Sequence, residues 1–499
     1  MVCLSSAIIL ALGSFGCGYH NSFDAGAAGL GSVVSATASP LVAQYKFTNP
    51  QPGMSAWVEF GTDTTYGRQT SVVSSTPTTG GSQSLSILVA GMVPQTTYHM
   101  RAHADWAGQS LVDQDHTFTT RALPTTPPLP QIVANDPATV NPATQMPAPG
   151  IELLSLSANP VATDHQGNII WYCPSVAVLV KPMQSGHFIL LQPNDLQEVD
   201  LACDRLRHVS LSQVSQSLQA SGHSYNLVNF SHDVLTLPNG HWITIVQISQ
   251  DFTNLPGYPG TTSVLGDLIV DIDPTGNVVW SWSAFDHLDV TRYPYFGLPD
   301  WTHSNALVYT QDNDLLLSLR HQSWIIKIDY ANGTGSGDVL WKLGPDGDFT
   351  LLGGDPSQWF YSQHYPNVLS VDGSQMTLAL YDNGNYRIDP STGLSCGTAG
   401  APGCYSRATI FQVDESTKLV NLLWQDLPGY FSFWGGSIIL LDNGNIEFDS
   451  SAASSAGSQI TEVTQTDPPQ VVWQMNINGT NAYRGYRIPS LYPGVTWLK

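Results

Sequence analysis

Two apolar runs, Ala306–Tyr309 and Leu315–Leu319, stand on either side of the turn residues Asp312-Asn313-Asp314, with a polar cluster at each outer end. Run, turn and run predict a β-hairpin with chemistry at its ends. The pattern recurs upstream, from His232 through Asn239-Gly240 to Val246, and downstream, from His364 through Asp372-Gly373 to Leu380. Each hairpin begins with a histidine, which puts His232, His303 and His364 at equivalent places in repeated units. A second periodic signal, two apolar residues followed by Trp, ends at Trp171, Trp280, Trp341, Trp424 and Trp473. The gap between the first two can hold one unit without a Trp, around Phe188–Leu191. About six units of several short strands each predict a β-propeller over residues 151–499. Its excess length falls in inserts at Ser210–Ser224 and Ile388–Tyr405. The competing arrangement is a pair of β-sandwiches with coincidental Trp spacing.

Upstream, residues 32–120 read as short alternating runs, among them Val42–Phe47, Ser55–Phe60, Leu85–Val89 and Thr97–Ala102, joined by turns rich in Gly, Pro, Thr and Asp. They predict a small N-terminal β-sandwich. Residues 121–150 are dominated by Pro, Thr and Ala and read as an extended, semi-rigid linker. The fold class expected is therefore all-β, a six-bladed propeller preceded by a sandwich.

Composition agrees with this and limits the partners. Only 11% of the 499 residues are charged, 42% are hydrophobic, and 44 Gly and 33 Pro supply turns. With 17 Lys and Arg against 39 Asp and Glu, the net charge of −22 argues against nucleic acid or an anionic membrane as partner. Residues 4–16 form an apolar run too short to span a bilayer, and 1–17 are expected to be a secretory signal, with Cys17 a candidate lipidation site. Location is then periplasmic or extracellular, as a free or lipid-anchored protein. Beyond Cys3 and Cys17 there remain Cys173, Cys203, Cys396 and Cys404, an even set that suits disulfides in an oxidising compartment. Proximity in sequence pairs Cys173 with Cys203 and Cys396 with Cys404, although four cysteines allow three connectivities.

In a propeller, equivalent strand positions face one channel, so His232, His303 and His364 converge despite their separation. Trp434, ahead of the run Ile438–Leu441, takes the corresponding slot in the next unit and offers an aromatic wall. Arg320 ends the second strand of the central hairpin. Asn305, two residues past His303, is expected on the same strand face and could donate an amide hydrogen bond.

These residues carry a resemblance. His232-Asp233, Asp300-Trp-Thr-His-Ser-Asn305, Ser318-Leu-Arg-His-Gln-Ser323, Trp341-Lys-Leu-Gly-Pro345, Gln363-His364, Tyr381-Asp-Asn-Gly384 and Tyr483-Arg-Gly-Tyr-Arg-Ile-Pro-Ser-Leu491 resemble the bacterial arylsulfate sulfotransferase family over residues 150–499. The resemblance implies a six-bladed propeller that moves a sulfuryl group from a phenolic sulfate ester to a second phenol, with no nucleotide donor and no cofactor. It also implies that His364 is the nucleophile and that His232, His303 and Arg320 bind and polarise the sulfate, with Asn305 a polar neighbour. Residues 32–120 resemble a fibronectin type III domain through Val58-Glu-Phe-Gly-Thr62, Gly91-Met-Val-Pro-Gln-Thr-Thr-Tyr98 and Phe118-Thr-Thr120.

The chemistry suits the residue types. A sulfuryl group in transfer spreads negative charge over its oxygens, as a phosphoryl group does, so a cationic fork and positioned imidazoles are what it needs. No GxxxxGK[ST] loop is present to hold a nucleotide. Two other readings stay open. Three convergent histidines could ligate a metal in a hydrolase or lyase, and a propeller could bind glycans or proteins without catalysis. Homodimerisation also stays open.

Overall fold

The structure is a computed structural model that describes residues 23–24, 31–135, 146–156, 158–292, 297–389, 391–397, 403–454 and 457–497. The expected signal and Cys17 lie outside these residues, as does part of the expected linker. From residue 131 onward the strands form six antiparallel-dominated sheets of four or five strands among the described residues. Each predicted hairpin is present. Asn226–Thr236 pairs with Trp242–Leu255, Ser304–Tyr309 with Leu315–Leu319, and His364–Asp372 with Gln375–Asp382.

The apolar-apolar-Trp runs fall on strands at or near the opposite edge of five of these sheets: Ile169–Tyr172, Val278–Ser283, Val339–Leu343, Leu419–Asp426 and Val471–Asn478. The sixth sheet, which holds Phe188–Gln192, has no such Trp. The last strand, Ala482–Ile488, pairs with Ile151–Leu156, so the C-terminal end of this region completes its first sheet.

Successive sheets bury apolar faces against each other. Ile245, Ile269, Leu317 and Ile326 share one cluster, and Leu316, Ile325, Leu378 and Phe411 share the next. Strands buried on both faces explain why Leu315-Leu316-Leu317 and Ile325-Ile326 read as unbroken apolar runs instead of alternating. The starting strands Asn226–Thr236, Ser304–Tyr309 and His364–Asp372 lie side by side, and Ser437–Leu440 follows next to the third.

Three segments depart from expectation. Ser210–Ser224 contains the helix Leu211–Ala220, held by a capping box of Ser210 and Gln213 and burying Val214 and Leu218. Within the expected linker, Gln131–Asn135 is a strand paired antiparallel with Val471–Asn478, and Ile132 packs against the core around Ile460 and Trp473. A five-residue run between proline stretches was enough to complete a sheet edge. The chain also divides into two compact units, of which the first comprises Met1–Val34, Tyr45–Ile87 and His99–Thr117, and the second Ser35–Gln44, Leu88–Tyr98 and Phe118–Lys499. Two short pieces of the expected sandwich thus belong with the larger unit, where Leu41 joins the core that holds Leu154 and Trp473. Each predicted cysteine pair forms a disulfide, with Cα–Cα distances of 5.6 Å for Cys173–Cys203 and 5.7 Å for Cys396–Cys404. Among the described residues no helix is long and apolar enough to cross a membrane.

Candidate active site

The three hairpin histidines meet because the strands that carry them break their ladders at the same place. Register shifts fall between Ser231 and Val234, between Ser304 and Ala306, and between His364 and Asn367. His232 and His303 also take left-handed backbone angles, with φ of 53° and 47°. Bulges and left-handed residues re-aim side chains at a cost in strain, and they recur where geometry serves function. Here they turn His232, His303 and His364 into one cavity of about 670 Å³, lined also by Arg320, His321, Phe433, Trp434, Tyr483 and Val176–Val178. The His232 and His303 rings are 4.6 Å apart, and Tyr483 stands 5.7 Å from His232 and 6.2 Å from His364.

The same register break corrects one expectation. Asn305 sits at the bulge of its strand, so simple alternation does not place it beside His303. It is fully buried, and its amide donates to the Gln363 carbonyl at 2.7 Å, bracing the residue before His364.

Each side chain in the cavity is held by a partner. His364, only 2% exposed, donates from Nδ1 to Asn383 Oδ1 at 2.6 Å, while the Gly435 amide points at its Nε2 from 3.2 Å. Arg320 follows the strand Leu315–Leu319 in a tight 3₁₀ turn, Arg320–Gln322. Its Nη2 donates to the Phe433 carbonyl at 2.9 Å and its Nη1 to His321 Nε2 at 2.9 Å. His321 can then only donate from Nδ1, which it does to the Asp300 carbonyl at 2.8 Å, and its ring stacks on His303 at 4.4 Å. His303 Nδ1 meets the Asp300 carboxylate at 2.5 Å. Behind His232, buried Asp233 takes Lys181 at 3.0 Å, Arg484 at 3.3 Å and the Leu307 amide at 3.0 Å. Burial opposes charge on Asp233, but Arg484 and Lys181 outweigh it and hold the carboxyl below its ordinary range.

Burial is also the main influence on the imidazoles. It holds His232 and His364 well below 6.5, helped by His303 for the first and by Arg320 for the second. His303 and His321 are pushed down to about 3 by burial first, with Arg320 and His303, respectively, adding to it. All four rings are therefore uncharged at neutral pH, and Arg320, lowered by burial to about 10, stays a cation. A stability prediction follows. Above about pH 6.5 folded and unfolded chains are alike neutral at these rings; below it the unfolded chain binds protons that the folded one refuses. Stability present at neutral pH should fall as pH drops from about 6.5 toward 3, by up to about 1.4 kcal/mol per pH unit for each such histidine. Buried Asp267, pushed up to about 6, and Asp449 act in the opposite sense over this range, so the check compares urea titrations at pH 7 and pH 5 for the unaltered protein and for His321→Phe, and an equal change in the two proteins would contradict it.

The three hairpin histidines were expected to be the ligands if the site were a metal centre. The donor cluster actually brought together is Asp300, His303 and His321, with one atom of each within 4.8 Å of the others. These atoms are bonded to one another and to Arg320, and a guanidinium 2.9 Å from His321 Nε2 repels a cation. The mutual bonds and the Arg320 cation weigh against a metal ion at this cluster. Of the expected site residues, His232, His303, Arg320, His364 and Trp434 share the cavity, whereas Asn305 braces it from behind. Asp300, His321, Asn383, Phe433 and Tyr483 were not singled out as site residues. Four of these five lay within the quoted motifs, but nothing in a period-2 strand pattern says that the turn after Leu319 delivers both Arg320 and His321 inward.

Among solved structures the chain is similar to a protein of unknown function from Bacteroides caccae, with 10% identity, 68% of this chain and 98% of that one covered, and a TM-score of 0.40. It is also similar to a streptogramin B lyase, with 12% identity, 70% and 98% covered, and a TM-score of 0.34. These likenesses are too distant to carry an argument. No curated protein matches. The family model described as Arylsulfotransferase (ASST) matches residues 141–487, a span that contains every residue of the cavity from Val176 to Tyr483. The chain belongs to the arylsulfotransferase family.

Proposed function

We propose that this protein transfers a sulfuryl group from a phenolic sulfate ester to another phenol through a covalent intermediate on His364. The six sheets from residue 131 onward are taken as the blades of a propeller, the cavity as its active site, and residues 32–120 as an accessory sandwich-like region. The observation that carries the reading is that His364 and Arg320 line one cavity walled by Trp434, Phe433 and Tyr483.

In the first half-reaction Nε2 attacks sulfur, the N–S bond forms and the S–O bond to the aryl group breaks. Arg320 holds the sulfuryl oxygens as charge builds on them. The negative charge of a bound sulfate ester favours protonation of His232 or His303, and a proton from one of them meets the departing phenolate. In the second half-reaction that histidine takes the proton of the acceptor phenol, whose oxygen attacks sulfur and displaces His364. The aromatic walls receive the aryl groups, and a neutral ring at His364 is a competent nucleophile. The disulfides suit an oxidising compartment, and export to the periplasm or beyond is part of this proposal.

The test is a chromogenic aryl sulfate assayed with and without added phenol, before and after dialysis against a chelator. The expected result is release of the chromophore that depends on acceptor, double-reciprocal lines that stay parallel as both substrates vary, and no loss after chelation. Loss restored by a divalent cation would favour the metal reading. No turnover with any aryl sulfate would favour a binding propeller.

A further inference from the structure

Asn383 sits where the second strand of the third hairpin ends, immediately after Asp382. That end is pinned. Buried Asp382 pairs with Arg387 and with Arg407, the latter at 2.8 Å, and accepts the Tyr361 amide at 2.9 Å. The Asn383 carbonyl accepts from Ser406 Oγ at 2.9 Å. Both protons of the Asn383 amide are committed as well, Nδ2 donating to the Ser432 carbonyl at 2.8 Å and to the Gly435 carbonyl at 3.0 Å. Because carbonyls only accept, the amide cannot flip, and the atom left facing His364 is the acceptor Oδ1. It lies 2.6 Å from His364 Nδ1, which must therefore carry the proton.

The strap Phe433–Gly436 completes the arrangement. Phe433 offers its carbonyl to Arg320, and Gly435 offers its carbonyl to Asn383 and its N–H to His364 Nε2. Glycine is required at 435, where φ is +64° and a Cβ would lie 2.3 Å from Ser451 Oγ. An amide N–H aimed at Nε2 can be met by a lone pair and not by a second proton.

We infer that Asn383 is a positioning residue that fixes the tautomer of His364, holding the ring proton on Nδ1 and leaving Nε2 unprotonated, with its lone pair accepting the Gly435 N–H. Its neutral amide matters as much as its reach. A carboxylate at the same place would favour the imidazolium, which has no lone pair at Nε2. Among the described residues the charged and titratable groups facing His364 are Arg320, His232, His303 and Tyr483, none of them a carboxylate. Once a sulfuryl group occupies Nε2, the Gly435 N–H is left within reach of its oxygens.

The effect on rate rests on the proposed function, but the tautomer does not, so the experiment has two arms. In the first, full-length protein with 15N-labelled histidine is examined by NMR at pH 7, with His364 assigned by its absence from H364N. The expected spectrum has an N–H-type Nδ1 and an unprotonated Nε2. A protonated Nε2, or a charged ring, would overturn the inference whatever the enzyme does. In the second, sulfuryl-enzyme formation is followed against pH. Asn383→Asp should move the acid limb of the profile up by about a unit or more, as an added carboxylate partner does. Asn383→Leu should slow formation about 10–100-fold with little change in KM, the scale on which such outer partners act. A folded Asn383→Leu with normal rate together with an unmoved profile in Asn383→Asp would reduce Asn383 to a structural role. If neither variant folds, the spectrum of the unaltered protein decides.

Discussion

Replacement of His364 by Asn is expected to abolish turnover, by a factor on the order of 10⁴–10⁶, the scale on which loss of a covalent nucleophile is felt. His364 is the cavity histidine with a neutral side-chain amide on one nitrogen and a backbone N–H at the other, so its Nε2 is unprotonated and aimed. His232 and His303 lie 4.6 Å apart in the same cavity and can exchange part of each other's task. Their single replacements are therefore expected to slow both half-reactions without removing the attachment point. Because Asn383 and Gly435 are fixed by bonds that do not involve His364, the variant should fold, and near-normal thermal unfolding together with lost activity is the expected pair of results. Retained turnover in H364N would transfer the nucleophile to another residue.

The second large effect concerns Arg320. Its guanidinium is already directed by two bonds, one from Nη2 to the Phe433 carbonyl and one from Nη1 to His321. A lysine keeps the charge but can neither bridge those two acceptors nor present a planar fork to sulfuryl oxygens. Arg320→Lys is expected to lower kcat/KM by about 10²–10³-fold, comparable with loss of a key transition-state donor. If the residue acted by charge alone, the lysine variant would keep near-normal kcat/KM, and that result would remove the fork from the mechanism.

Much of this was readable from local pattern. Hairpins announce themselves by alternating runs and turn residues, and the expected equivalence of the histidines holds in part: His364 begins its strand, His303 immediately precedes its own and His232 lies within the third, the three strands running side by side. The Trp-ending runs marked strands toward the far edge, and even the unit without a Trp fell near Phe188–Gln192. What pattern could not supply was the consequence of broken registers. Asn305 looked like a neighbour of His303 on one strand face, but a bulge turned it onto Gln363. Asn383 and Gly435 reach His364 across 19 and 71 residues, and such contacts depend on which turn faces which strap, not on composition. Gln131–Asn135 was hidden by its proline-rich surroundings, since pairing with Val471–Asn478 is a long-range choice.

The proposed mechanism turns on one covalent bond. The enzyme should be incubated with an aryl sulfate and no acceptor, quenched, digested under conditions that preserve N–S bonds, and mapped by mass spectrometry. One added SO3 group per chain is expected, on the peptide containing His364 and on that residue, lost when phenol is supplied before the quench. An adduct on His232 or His303, or continued transfer with no adduct at all, would contradict it.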